Sequence, residues 1–581
     1  MATTVLPFSR TNKADSDTPE KFQGDLQVWL PEVLQEKAKK QPFLMEYLQL
    51  VQNNNIGAPA YYEELSRKLG ENREPNLIYP TKNKNIYVHV LVDQSDNRNT
   101  YIPIEPSMTV KVDDRMRAIE MKLLDLGKKL KRIDPDANRE EQFLRYIEQV
   151  TTITKEQTPG LLDKYFGFMS RGGAKLARIP VTPRELDGIR FLFIRDKVGL
   201  GALETLIADP YIEDISCSGM GTVFIEHKIF KSLKSSIVFS TIEELDEFVL
   251  WLAERVKKPV TYKNPISDAT LPDGSRINIV YGHEVSKRGS NFTIRKFSDV
   301  PISVFELVDF GTLNYQMLAY LSLMIANGMN VFVSGETASG KTTLLNAITT
   351  FIHPLSKVVS IEDTPELQVP HKNWVREVVQ SSKSEDPSGA VTMFDLLKAA
   401  LRQRPNEIIV GEIRGSEGNI AFQAMQTGHS VMATFHAATT EKLIQRITGN
   451  PISVPKTYID NLNIVILTSQ VRLPNGKNGR RITGINEIVG YDPVFDSFTF
   501  VESFHWDEAS DRFEFTGNMS SYILENKIAA RMGFPTHQKR RIYAELERRA
   551  VILQKLHKEM GVTGFYEVLD VLGKAQREGL F

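Results

Sequence analysis

A chain of 581 residues is too long for one core and predicts two to four domains. An apolar fraction of 41%, a charged fraction of 25% and a formal net charge of -1 describe an ordinary soluble globular protein, with no global field drawing it to nucleic acid. The single cysteine, Cys217, excludes an internal disulfide framework and a cysteine-built zinc site, and suits a reducing compartment.

Residues 1–22 are polar, carry no apolar targeting segment and are expected to be disordered. The region 23–158 reads as helices up to residue 69. Strands follow across 77–106, where Ile86-Tyr-Val-His-Val-Leu91 alternates, and then a long helical stretch over 109–152 with a break at Asp134-Pro135. Residues 159–305 predict a small α+β domain, with a helix at 184–195, strands at 212–216 and 223–226 and a helix at 242–257. Its last strands, 276–281 and 290–296, flank a turn at 282–289, and residues 306–311 read as a linker.

The longest promising apolar segment, 317–329, is too short and too polar to cross a bilayer. Any membrane association is therefore expected to be peripheral, on a cytoplasmic protein. Across 312–581, strands at 331–334, 358–361, 407–410 and 430–434 alternate with helices at 315–325, 393–403 and 418–427. That order predicts an α/β domain with a mostly parallel sheet and its ligand at the strand C-termini. Residues 381–390 read as a mobile loop, and a hairpin near 494–501 precedes helical material to the end.

Gly335-Glu-Thr-Ala-Ser-Gly340-Lys341-Thr342 joins the 331–334 strand to a helix, the context of a phosphate-binding P-loop. Its glycines let backbone N–H groups curl around phosphates while the helix directs its positive end at them. The ATP cradle is read as Gly335, Glu336, Thr337, Ala338, Ser339, Gly340, Lys341, Thr342 and Thr343. Lys341 would reach the β- and γ-phosphates, and the Thr342 hydroxyl would hold Mg²⁺.

Two further strand ends supply acids. Glu362 follows the 358–361 strand, and Glu412 follows 407–410 across Gly411. Glu412 is the first candidate to orient the attacking water or the metal's water shell, and Glu362 the second. Gly411 occupies a position where many P-loop enzymes carry aspartate, which argues against direct carboxylate ligation of Mg²⁺ there. Beyond the 430–434 strand, His436 and Thr434 are placed to sense the γ-phosphate, better than His429 at its entrance. Arg276, Arg288 and Arg295 lie on or beside the strand pair of the preceding domain. They are candidates to neutralise transferring phosphoryl oxygens, in a site shared with another subunit. Arg414 is a candidate bridge to a neighbouring protomer.

The P-loop, the acidic box Ser360-Ile-Glu-Asp-Thr-Pro-Glu-Leu367, the segment Ile408-Ile-Val-Gly-Glu-Ile-Arg-Gly415 and the histidine box at 427–436 together strongly resemble the type II/type IV secretion ATPase superfamily. The resemblance implies a RecA-like P-loop ATPase domain with a parallel sheet, preceded by an α+β N-terminal domain and a partly helical extension. It implies Glu362 and Glu412 as catalytic acids, with Arg276, Arg288 and Arg295 completing a neighbour's site. Asp209-Pro-Tyr-Ile-Glu-Asp-Ile-Ser216, Leu271-Pro-Asp-Gly-Ser-Arg276 and the tail from Asn486 look archaeal, most like the archaellum motors of that superfamily. By that resemblance the protein is a homo-hexamer at the inner face of the cell membrane, hydrolysing Mg-ATP to assemble and rotate a filament. Its expected partners are a polytopic membrane platform protein and cytoplasmic archaellum accessory proteins, with no nucleic acid. An archaeal type IV pilus or type II-like secretion ATPase would use the same chemistry.

Overall fold

The computed structural model describes residues 3–4, 6 and 29–581, apart from 67–68, 71, 73, 84, 94–95, 97, 127–137, 155–177, 298–300, 381–390, 475 and 579–580. The chain divides into two compact units, Met1–Ser298 and Asp299–Phe581. The loop expected at 381–390 and most of the disorder expected at 1–22 lie outside the described residues. Within 1–22, Thr3 and Thr4 instead pair antiparallel with Val238 and Ile237.

The first unit is built on one long mixed sheet. Ile266–Thr270, Arg276–Val280, Asn291–Arg295, Ile212–Cys217, Gly221–His227 and Lys231–Phe239 run side by side as antiparallel neighbours. A two-residue parallel contact of Lys234 and Ser235 with Thr100 and Tyr101 then leads into Thr100–Ile104, Tyr87–Leu91, Asn76–Pro80 and Ala60–Tyr61. Strand side chains alternate between faces. On one face Tyr79, Val88 and Tyr101 share a buried cluster with Leu203, Ile215 and Phe239. On the other, Ile78, Tyr87 and Ile102 pack against the helices Glu32–Lys40 and Pro42–Asn53.

This corrects the division expected at 158/159, because strands from both sides of it share one core. A parallel contact two residues long leaves no local sequence signature. A buried polar network reinforces the join: Asp209 accepts hydrogen bonds from the hydroxyls of Tyr79 (2.7 Å) and Tyr101 (2.8 Å). Nδ1 of His227 accepts from the N–H groups of Ile229 and Phe230, which places the ring proton on Nε2, 3.2 Å from the Tyr79 hydroxyl. Burial pushes the His227 pKa down to about 4. The helical stretch expected over 109–152 appears as Asp113–Leu126 and Arg139–Val150, packed with Pro183–Lys197 through Ile119, Ile147 and Ile189. The expected break at Asp134-Pro135 lies outside the described residues.

The second unit carries the parallel sheet that the alternating pattern predicts. Its strand order is Trp374–Val378, Val358–Glu362, Glu407–Val410, Ser430–Phe435, Val331–Gly335 and Ile464–Arg472, all parallel. Asn478–Asp492, Ser497–Asp507 and Arg512–Glu514 extend it antiparallel. Val331 and Val333 enter the cluster on one face, Phe332 that on the other. Helices on both faces of a parallel sheet, with a glycine-bounded loop at a strand end, give the RecA-like P-loop architecture.

The expected linker at 306–311 is overturned. Val304–Asp309 is a helix whose Ser303–Glu306 capping box satisfies its first turn, and Val304, Phe305 and Leu307 lie in the second unit's core. Further along, the buried Glu487 accepts from Tyr320, Ser503 and Ser521 hydroxyls and from the Ile523 N–H, tying the segment after the last strand to the sheet.

Candidate functional site

Val331–Gly335 is buried along its length and ends between two parallel neighbours. Glycine is required at 335, where a Cβ would meet the Thr468 carbonyl oxygen at 2.2 Å. The chain then turns through Ala338 (φ 63°) and Gly340 (φ 93°) before Lys341–Ile348 begins as a helix. An alanine in the left-handed region persists only where its surroundings hold it. Here Arg480 Nε donates to the Ala338 carbonyl at 3.0 Å, and the hydroxyls of Ser339 and Thr468 lie 3.0 Å apart.

The Lys341 ammonium donates to the carbonyls of Gly335 (3.1 Å) and Glu336 (2.8 Å). Burial lowers its pKa, Glu412 opposing and Arg414 adding to that effect. It also lies 3.5 Å from Nδ1 of His436, just beyond Ser430–Phe435. Nε2 of the same ring is 2.9 Å from Oε1 of Glu412, close in distance but poorly aligned for a hydrogen bond. Oε2 of Glu412 in turn stands 2.5 Å from the Arg414 guanidinium. Burial first, and the Lys341 charge second, hold the His436 pKa below its ordinary value. Four residues from three separate motifs thus form one continuous line of contacts beside the phosphate cradle.

Glu362 is held differently. Its Oε1 accepts the N–H groups of Glu366 and Leu367, each at 2.7 Å, and its Oε2 accepts from Arg376 Nε at 3.3 Å. Burial raises its pKa against those donors. Gly411 makes room for it, since a Cβ there would stand 3.2 Å from Glu362 Cγ. A glycine where other P-loop enzymes carry aspartate therefore has a steric reason. Thr434 donates to the Gly411 carbonyl at 2.5 Å, which anchors it to the backbone beside Glu412. His429 sits with Thr427 at the far end of the strand, away from this line.

A cavity of about 340 Å³ opens beside the loop, lined in part by Gly335, Glu336, Thr337, His436, Lys442 and Arg446. Its size admits a phosphate tail. Among the described residues no three His, Cys, Asp or Glu side chains converge as a metal cage. The half-buried Thr342 hydroxyl makes no hydrogen bond to a described residue. That donor set fits Mg²⁺ arriving with a nucleotide, most of its ligands being phosphate and water oxygens.

Arg276 and Arg295 are directly opposed on adjacent strands of the first unit, both exposed, and Arg288 is exposed in the preceding turn. Asp214 lies opposite Arg295 on its other side. Like charges directly opposed repel, and a bound anion would relieve the repulsion. All three arginines belong to the first unit, whereas the Lys341–Arg414 line belongs to the second. Sequence reasoning passed over Arg376, Arg480, Lys442 and Arg446, whose roles depend on which strand or helix lies next to the loop.

A sequence profile of the family described as type II/IV secretion system protein matches residues 196–477. An uncharacterized protein of Methanocaldococcus jannaschii is 42% identical over 549 residues, covering 94% of this chain and 97% of that protein. The type IV secretion system protein PtlH of Bordetella pertussis is 31% identical over 231 residues, 36% of this chain and 68% of its own length. VirB11 of Bartonella quintana is 31% identical over 242 residues, 36% of this chain and 67% of its own. Among solved structures, the ATPase DotB of Legionella pneumophila aligns at 17% identity over 63% of this chain and 93% of its own, with a TM-score of 0.37 that carries no argument. Among the described residues no helix is long and apolar enough to cross a membrane.

Proposed function

Because the chain belongs to the type II/IV secretion-system ATPases, we propose that it is an ATP-hydrolysing motor of a membrane-seated secretion or pilus-type machine. The observation that carries this reading is the line Lys341–His436–Glu412–Arg414 at the strand ends beside the P-loop. The Lys341 ammonium, now resting on two loop carbonyls, exchanges them for β- and γ-phosphate oxygens, and the loop N–H groups hold the remainder of the tail. Thr342 holds Mg²⁺, which when bound would neutralise phosphate charge. Glu412 orients the attacking water, with Arg414 fixing one carboxylate oxygen and His436 beside the other. Glu362, clamped by Arg376 and two backbone donors, shapes the acidic turn next to it.

The exposed pair Arg276 and Arg295, with Arg288, completes the site of an adjacent protomer in a homo-hexamer. Hydrolysis then changes how the two units of one protomer sit against the next, and a polytopic membrane platform receives the force. Names of the Bordetella and Bartonella relatives favour the secretion machine over an archaellum. The archaellum motor is a second reading, which rests on the archaeal-looking segments at 209–216, 271–276 and from Asn486.

The test is phosphate release by the purified full chain with Mg-ATP, followed by affinity recovery from native membranes. Turnover together with a pilus or secretion platform supports the proposal. Recovery with archaellum components alone replaces it by the second reading, and absence of turnover removes both.

A further inference from the structure

We propose that Lys442 is a phosphate-contacting residue that reads the terminal phosphate of a bound triphosphate from within the same chain. The inference rests on the P-loop being a nucleotide site and adds a residue to it. Lys442 and Arg446 lie one turn apart on the helix Thr440–Thr448, so both side chains leave the same face. That face lines the cavity of about 340 Å³ formed with Gly335, Glu336, Thr337 and His436.

The two cations are not equivalent. Arg446 donates to the His436 carbonyl and lies 5.2 Å from the Phe435 ring centroid, so its guanidinium is already committed to holding the histidine loop. The Lys442 ammonium makes no hydrogen bond and no ion pair with any described residue. An ammonium on the wall of a phosphate cavity, with no carboxylate paired to it, meets an anion at little reorganisation cost. The cavity takes in His436, whose ring stands between Lys341 and Glu412. Lys442 therefore faces the phosphate at which cleavage occurs, and a diphosphate leaves that position vacant.

The experiment compares fluorescent ATP-analogue and ADP binding by the full chain with that of Lys442→Ala, Lys442→Arg and Lys341→Ala, all with Mg²⁺. Lys442 is exposed on a helix, so its replacement leaves the fold intact, and circular dichroism checks this. Loss of one charge-assisted contact predicts triphosphate binding about tenfold weaker in Lys442→Ala, with ADP within about twofold of wild type. Lys442→Arg should restore triphosphate binding, and Lys341→Ala should weaken both nucleotides. Equal affinities of Lys442→Ala and wild type for triphosphate, or equal weakening of both nucleotides, overturn the assignment. A wild-type chain that binds neither nucleotide overturns the P-loop reading instead.

Discussion

Oε1 of Glu412 lies 2.9 Å from Nε2 of His436. The other ring nitrogen of that histidine faces the Lys341 ammonium at 3.5 Å, so a single imidazole is in contact with both the phosphate-binding cation and the acid. Burial, and after it the Lys341 charge, lowers the His436 pKa. Movement of Lys341 onto phosphates would remove that influence and make protonation beside Glu412 easier. On the proposed mechanism His436 thereby couples phosphate capture to the acid that positions water. His436→Ala should bind ATP within about threefold of wild type while turnover falls about 10²-fold. Nucleotide titration and phosphate release check this, and unchanged turnover would remove the coupling.

Arg276 and Arg295 stand opposite one another, both exposed, on adjacent interior strands of the first unit's sheet. If they act on a neighbour, each Arg→Ala variant should lose about 10²-fold in hydrolysis with the first unit still folded. Mixing Arg276→Ala with Lys341→Ala protein should then recover part of the activity, because one protomer supplies the cradle and the other the arginine. No recovery on mixing, measured by phosphate release, would place the arginines outside a shared site.

Gly411 leaves space for the Glu362 side chain, with 3.2 Å from an added Cβ to Cγ. Gly411→Ala should destabilise the chain by about 1–3 kcal/mol and lower turnover, since Glu362 is already clamped by three donors. Gly490→Ala, where an added Cβ meets nothing within 4 Å, is the control and should be nearly silent. Equal thermal melts for the two variants would show that Glu362 yields freely.

Glu407 opens the strand that leads to Glu412 and is buried, with its pKa raised by burial to about 8 and only the Ser430 hydroxyl opposing. In the unfolded chain the same carboxyl titrates near its ordinary value. Between the two pKa values the unfolded chain releases a proton that the folded chain keeps, so stability falls as pH rises through that window, by on the order of 5 kcal/mol in full. Glu407→Gln should therefore raise the Tm more at pH 8 than at pH 5. An equal shift at both pH values would contradict a protonated Glu407.

The P-loop motif, the strand-end positions of both acids and four of the six parallel strands were legible, three of those strands because their apolar runs lead directly into Gly or Glu. Trp374–Val378 was not, being a half-exposed strand at the sheet edge whose apolar run is interrupted by the adjacent Arg376 and Glu377, and with it went the Arg376 clamp on Glu362. Ser303-x-x-Glu306 has the spacing of a capping box, which the linker reading of 306–311 passed over; its short helix reads as a linker unless its three apolar residues are assigned to the following core. The join between residues 76–104 and 212–239 depends on long-range pairing and on the buried Asp209, which no local pattern announces. Lys442 lies in an ordinary amphipathic helix, and only the position of that helix beside the loop gives its ammonium a use.

The central claim is that nucleotide held at Lys341 is cleaved through Glu412. The most direct measurement is the fate of radiolabelled Mg-ATP bound to full-length Glu412→Gln under single-turnover conditions. The account predicts wild-type binding with the label remaining in ATP. Conversion to ADP and phosphate at the wild-type rate would contradict it.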